Sequence, residues 1–128
     1  MIIKSVYIEI TNRCNLDCRD CYNSSGRNRE TVELDPEVLL RFITDLKVRY
    51  HVRSVTLSGG EPLLHTQIDR ILKSISELSV RDSEMDFNFI TNGTLDNALF
   101  YELMERNPHF YLQISLDGPN EAAKASMR

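Results

Sequence analysis

Four short segments rich in β-branched and aromatic residues alternate with three longer segments of helical periodicity, and this alternation restricts the fold more than any other feature of the chain. Val6 to Thr11, Ser54 to Ser58, Asp86 to Thr91 and Phe110 to Ser115 read as strands. Asp35 and Pro36 open the first helix as cap and first helical residue, ahead of an apolar stripe of Val38, Leu39, Phe42, Ile43 and Leu46. Thr66 and Asp69 form a capping-box pattern before Ile68, Ile71, Leu72, Ile75 and Leu78. Asp96 is expected to cap a third helix through Leu99, Leu103 and Met104 that stops before Pro108. Glu121 to Arg128 reads as the opening turns of another helix. The order βαβαβαβ predicts an α/β fold with a parallel sheet and right-handed crossovers. With 128 residues, 41% of them hydrophobic, the chain is expected to form one domain around one core.

The strands carry a second message. Parallel strands buried on both faces are almost continuously apolar. These alternate instead. Ile8 and Ile10, Val55 and Leu57, Phe87 and Phe89, and Leu112 and Ile114 suit the face under the helices. The other face would hold Glu9 and Thr11, Thr56 and Ser58, Asn88 and Asn92, and Gln113 and Ser115. A polar inner face is costly unless it meets water or a polar ligand, so it reads as the wall of a substrate cavity.

Chemistry concentrates at the C-terminal ends of the strands, where parallel sheets bind their ligands. All three cysteines, Cys14, Cys18 and Cys21, follow the first strand with C-x3-C-x2-C spacing. The odd count and the tight spacing argue against disulfides. Zinc usually takes four protein ligands, or three and a water, and its paired cysteines usually come with a second pair or histidines downstream, a pattern this chain does not supply. Iron–sulfur clusters take thiolates in compact loops, normally four, so three ligands on a four-iron cluster leave one iron open to a small molecule. Gly59-Gly60-Glu61-Pro62 follows the second strand, Thr91-Asn92-Gly93 ends the third, and Ser115-Leu116-Asp117-Gly118-Pro119 ends the fourth. Two residues without Cβ at Gly59 and Gly60 permit close backbone approach to a ligand.

Taken together, the cysteine triplet, Ser58-Gly59-Gly60-Glu61-Pro62, Ile90-Thr91-Asn92-Gly93 and Ser115-Leu116-Asp117-Gly118-Pro119 resemble, in order, the signature segments of the radical S-adenosylmethionine (SAM) enzymes. The resemblance spans nearly the whole chain. It implies part of a (β/α)6 partial TIM-like barrel, with residues 1–128 as its first four βα units and the rest missing. It implies a [4Fe-4S] cluster on Cys14, Cys18 and Cys21, with SAM chelating the open iron. An electron from the cluster would cleave SAM to methionine and a 5′-deoxyadenosyl radical, which abstracts hydrogen from a substrate. The Gly59, Gly60, Glu61, Pro62 segment would receive the SAM amino group. Asn92, Ser115 and Asp117 resemble residues that border SAM in peptide-modifying and sulfatase-maturing relatives, which makes a peptide or protein one candidate substrate class while the sequence itself names no substrate. Arg128 lies where relatives place an arginine for the SAM carboxylate. Asp20 departs from the family pattern, which often has an aromatic residue there to cover adenine, and Tyr22 is the neighbour that would replace it. An electron donor such as flavodoxin or ferredoxin is implied as a partner. Two other readings compete: a cluster- and SAM-binding module without turnover, and a zinc-binding structural domain.

Composition excludes some partners. A net charge of −4 does not suit a nucleic-acid surface, and Arg13, Arg19, Arg27 and Arg29 read as solvated loop charge. No run approaches the roughly 20 apolar residues of a membrane span. The N-terminal segment reads as a strand rather than a signal peptide. Free cysteines without an export signal point to the cytoplasm. His51, His65 and His109 are expected to be polar surface residues. The fourth strand is expected to present an open edge, through which the chain would self-associate.

Overall fold

The computed structural model describes residues 1–13, 30–82, 84–94 and 96–115. Cys14, Cys18, Cys21, Tyr22, Asp117 and Arg128 lie outside the described residues. Strands β1 (Ser5–Thr11), β2 (Ser54–Gly59), β3 (Asp86–Thr91) and β4 (Phe110–Ile114) form one sheet in sequence order, with every pair parallel. Helices α1 (Pro36–Tyr50), α2 (Ile68–Arg81) and α3 (Ala98–Arg106) make the crossovers, and a 3-10 turn, Pro62–Leu64, precedes α2. This is the α/β arrangement that the alternation of periods predicts.

The period-2 pattern of the strands decides which face is covered. Ile8, Ile10, Val55, Leu57, Phe87 and Phe89 join Leu39, Ile43 and Leu46 of α1, Ile71, Leu72 and Ile75 of α2, and Phe100 of α3 in one buried cluster. Phe89 stacks edge-on against Phe100 with ring centroids 5.2 Å apart and meets Phe110 at 5.5 Å. Each buried phenyl contributes on the order of 1.5–3 kcal/mol through burial alone.

The start of α1 follows the sequence closely. Asp35 Oδ2 accepts from the N–H groups of Glu37 and Val38, and Pro36 takes the first helical position. Its buried stripe is narrower than expected: Leu39, Ile43 and Leu46 are covered, whereas Val38 and Phe42 are exposed. The other two helix starts differ from the sequence reading. The cap residue of α2 is Gln67, whose side chain makes no capping bond, and the Thr66 hydroxyl is taken by Glu33. The cap of α3 is Asn97 rather than Asp96, and its Oδ1 accepts from Phe100 N–H at 2.9 Å. Phe100, absent from the expected stripe, is the residue α3 buries completely.

Two departures in the sheet bear on the site. A register shift between Glu9 and Thr11 pairs Thr11 with Gly59, and Thr11 is buried instead of facing the open side. On β4 only Phe110 is buried, while Leu112 and Ile114 are 37% and 49% exposed, so the covered face thins out toward this edge. Among the described residues no helix is long and apolar enough to cross a membrane.

Candidate active-site rim

The tip of β1 launches the cysteine-bearing segment 14–29, and the described residues on either side of that segment are tied together. Leu34 N–H donates to the Ile10 carbonyl at 2.9 Å, and Asn12 N–H donates to the Val32 carbonyl at 3.1 Å. The Asn12 side chain closes the gap between the arms. Its Oδ1 accepts from Val32 N–H at 2.8 Å and its Nδ2 donates to the Glu30 carbonyl at 2.7 Å. Thr11 and Glu33 form an antiparallel bridge at the same level. Sequence reasoning gave Asn12 no role; an Asx residue at a strand end, able to pair with nearby backbone, was the available signal.

The Gly-Gly-Glu-Pro turn meets this base directly. Gly60 N–H donates to the Thr11 carbonyl at 2.9 Å, and Glu61 N–H donates at 2.7 Å to the carbonyl of Arg13, the residue before Cys14. Gly59 has φ +148°, and a Cβ there would lie 2.1 Å from the Thr11 carbonyl oxygen. The close approach that Gly59 permits is therefore that of β1's own backbone. Pro62 is buried at the start of the 3-10 turn, whose capping residue is Glu61.

Glu61 is completely buried, and its carboxylate joins three pieces of the rim. Oε1 accepts from the Thr91 hydroxyl at 2.5 Å and from Leu63 N–H at 3.4 Å; Oε2 accepts from Asn92 N–H at 2.8 Å. The turn after β2 is thereby bolted to the tip of β3. Burial pushes this carboxyl above its ordinary value of 4.5, and the hydrogen bonds from Thr91, Asn92 and Leu63 oppose that shift without cancelling it. Thr91, which the sequence did not single out beyond its motif, is buried and also accepts from Gly93 N–H at 3.3 Å.

Asn92 opens an Asx-type turn, its Oδ1 accepting from Thr94 N–H at 3.0 Å and from the Thr94 hydroxyl at 2.6 Å. Gly93 follows with φ +75°. Ser115 is exposed, and its N–H donates to the Thr91 carbonyl at 2.9 Å, which carries the β3–β4 ladder to the rim. Of the expected site residues, Gly59, Gly60, Glu61, Pro62 and Asn92 thus form one hydrogen-bonded rim with the base of the cysteine segment, and Ser115 stands beside it.

The open face of the sheet below the rim is polar, as expected, with two tyrosines added. Tyr7 donates to Ser58 Oγ at 2.7 Å, Asn88 Nδ2 donates to Gln113 Oε1 at 3.5 Å, and Tyr111 is half exposed. Of the histidines, His65 differs most from expectation, because only 2% of it is exposed.

The family model described as the Radical SAM superfamily matches residues 8–128. The chain belongs to the radical SAM superfamily. A probable GTP 3′,8-cyclase of Methanococcus maripaludis is 30% identical over 95% of the chain and 43% of its own length. A probable GTP 3′,8-cyclase of Methanocella arvoryzae is 38% identical over 80% of the chain and 31% of its own length. The chain thus spans less than half the length of these curated relatives. Among solved structures, Streptococcus suis SuiB bound to S-adenosylmethionine superposes with a TM-score of 0.82 at 22% identity, covering 98% of the chain and 28% of SuiB. SuiB bound to its precursor peptide SuiA gives the same TM-score of 0.82 at 21% identity, covering 98% of the chain and 27% of SuiB. The four parallel strands and three crossover helices among the described residues therefore share the fold of part of SuiB.

Proposed function

We propose that residues 1–128 are the first four βα units of a radical SAM enzyme core and that the rim holds its cofactors. The observation that carries this reading is the direct tie between Arg13, next to Cys14, and the Gly-Gly-Glu-Pro turn. It brings the base of the thiolate-bearing segment against the turn at the next strand tip.

The donor set fits an iron–sulfur cluster. Cys14, Cys18 and Cys21 are three thiolates on one short segment, and both flanks of that segment are fixed to the sheet. They would hold a [4Fe-4S] cluster with one iron left for SAM. When bound, these cofactors supply the electron and the 5′-deoxyadenosyl radical that abstracts hydrogen from the substrate. The chain's own residues orient and shield. Gly59, Gly60 and Pro62 shape the turn facing the SAM amino group. Glu61 sets the height of that turn against β3 rather than reaching for the ligand, since both its oxygens are engaged within the protein. Asn92, Ser115, Asp117 and Arg128 would border SAM, and Tyr22 would cover adenine in place of the aromatic absent at Asp20.

A peptide is the substrate class of this reading, supported by the fold shared with SuiB, a protein solved with a precursor peptide. GTP is the second, favoured by the names of the sequence relatives. A flavodoxin or ferredoxin would supply the electron in a cytoplasmic setting. The test is anaerobic reconstitution with iron and sulfide, then dithionite and SAM. Formation of 5′-deoxyadenosine is expected. A reconstituted cluster that binds SAM without cleaving it would favour the non-catalytic module, and a colourless protein holding zinc but no iron would favour the structural domain.

A further inference from the structure

A second set of contacts secures the return arm of the cysteine segment. Glu33 lies within that arm, and its carboxylate reaches across to the turn after the 3-10 helix. Oε1 accepts from the Thr66 hydroxyl at 2.6 Å, and Oε2 accepts from Thr66 N–H at 3.0 Å and from the Thr11 hydroxyl at 3.3 Å. The next residue is held as well, by His65 Nε2 at 2.7 Å from the Leu34 carbonyl. His65 Nδ1 accepts from Gln67 N–H at 3.0 Å, which leaves Nε2 as the nitrogen that donates. Both ring nitrogens of this buried histidine are therefore committed, one to its own turn and one to the arm. The arm is separated from this turn by about thirty residues of sequence, yet four hydrogen bonds join Glu33 and Leu34 to His65, Thr66 and Thr11.

We propose that Glu33, His65 and Thr66 are positioning residues for cluster retention, fixing where the 14–29 segment re-enters the fold beside the Gly-Gly-Glu-Pro turn. The inference rests on the cluster reading above. The outgoing arm is held by Gly60 and Glu61 and the return arm by His65 and Thr66, so one stretch, residues 60–66, sets both ends of the thiolate-bearing segment. Loss of the return-arm contacts keeps all three cysteines and removes the ties that fix Glu33 and Leu34 beside residues 65–66.

The test uses the 128-residue chain with and without iron. In the iron-free protein, amide exchange is followed at Val32 and Leu34, whose N–H groups donate to Asn12 and Ile10. In the reconstituted protein, iron release to a chelator is timed. Glu33→Ala and His65→Ala are expected to raise exchange at both amides and to speed iron release about tenfold, the scale of losses seen when groups supporting metal ligands are removed. Glu33→Gln and His65→Gln keep an acceptor toward Thr66 or a donor toward Leu34 and should recover most of the effect. Thr66→Val keeps the volume of an exposed residue and removes only the hydroxyl, so it should speed release while the urea midpoint stays at the wild-type value. It also decides the matter if an alanine variant unfolds. Wild-type protein that takes up no iron overturns the cluster reading and this one with it. Wild-type protein that holds iron, with Thr66→Val and the folded alanine variants releasing it at the wild-type rate, overturns this inference alone.

Discussion

At the scale of single residues, Gly59 and Glu61 carry the rim for reasons internal to the protein. A side chain at Gly59 would meet the Thr11 carbonyl and an unfavourable backbone angle together, so Gly59→Ala should destabilise the fold by about 3 kcal/mol or more, read from urea unfolding. Gly60→Val is the cleaner probe of the ligand, and it should reduce the SAM-induced change in the cluster's EPR spectrum. Glu61 and Glu33 respond to pH with opposite sign. Burial raises the Glu61 carboxyl above 4.5, so the folded chain holds this proton more tightly than the unfolded chain. Its contribution to stability therefore declines as pH rises from about 4.5 through the folded value. For Glu33, burial also opposes ionisation, but the hydrogen bonds from Thr66 and Thr11 hold the carboxyl below 4.5. Its contribution is present above 4.5 and is lost as pH falls through the lowered value. Urea midpoints at pH 4.5 and 7 check the first of these: wild-type stability relative to Glu61→Gln should fall on going to pH 7, and a rise would contradict the assignment. Local chemistry made Glu61 visible in the sequence as part of a motif. It did not reveal that the carboxylate faces inward, because its partners Thr91 and Asn92 lie thirty residues away. Glu33 and His65 were invisible as site residues for the same reason.

At the scale of elements, capping separates what local sequence decides from what the fold decides. Asp35-Pro36 was legible because every contact that makes it a cap lies within the next three residues. Thr66 looked equally suited, but a distant carboxylate claims its hydroxyl. The Asp96-Asn97 pair offered two similar caps, and the backbone uses the second. Asn97→Ala should therefore cost about 1 kcal/mol, whereas Asp96→Ala, on an exposed residue outside the helix, should change stability little. Thermal unfolding of the two variants distinguishes them, and equal losses would contradict the cap. The strands were readable from their period of two, and the polar open face followed from it. The register shift near Ile10 was not readable, and it moved Thr11 from the open face to the buried base of the cysteine segment.

At the scale of the whole molecule, the β4 edge is a weak side of the sheet. Among the described residues β4 pairs with β3 alone, and Leu112 and Ile114 lie exposed beside its outer edge. The 128-residue chain should self-associate there, and Leu112→Lys should reduce light scattering across a concentration series at some cost to the fold. A wild-type chain that stays monomeric at high concentration would contradict this. The tied base of residues 10–13 and 30–34 would serve a three-thiolate cluster site. Iron and sulfide analysis after anaerobic reconstitution tests it most directly, on the wild-type chain and on Cys14→Ala, Cys18→Ala and Cys21→Ala. About four irons and four sulfides per wild-type chain are expected, with brown absorbance and loss of a stable cluster in each variant, since the chain has no fourth cysteine. A full cluster in any single variant, or a wild-type chain that binds none, would contradict it.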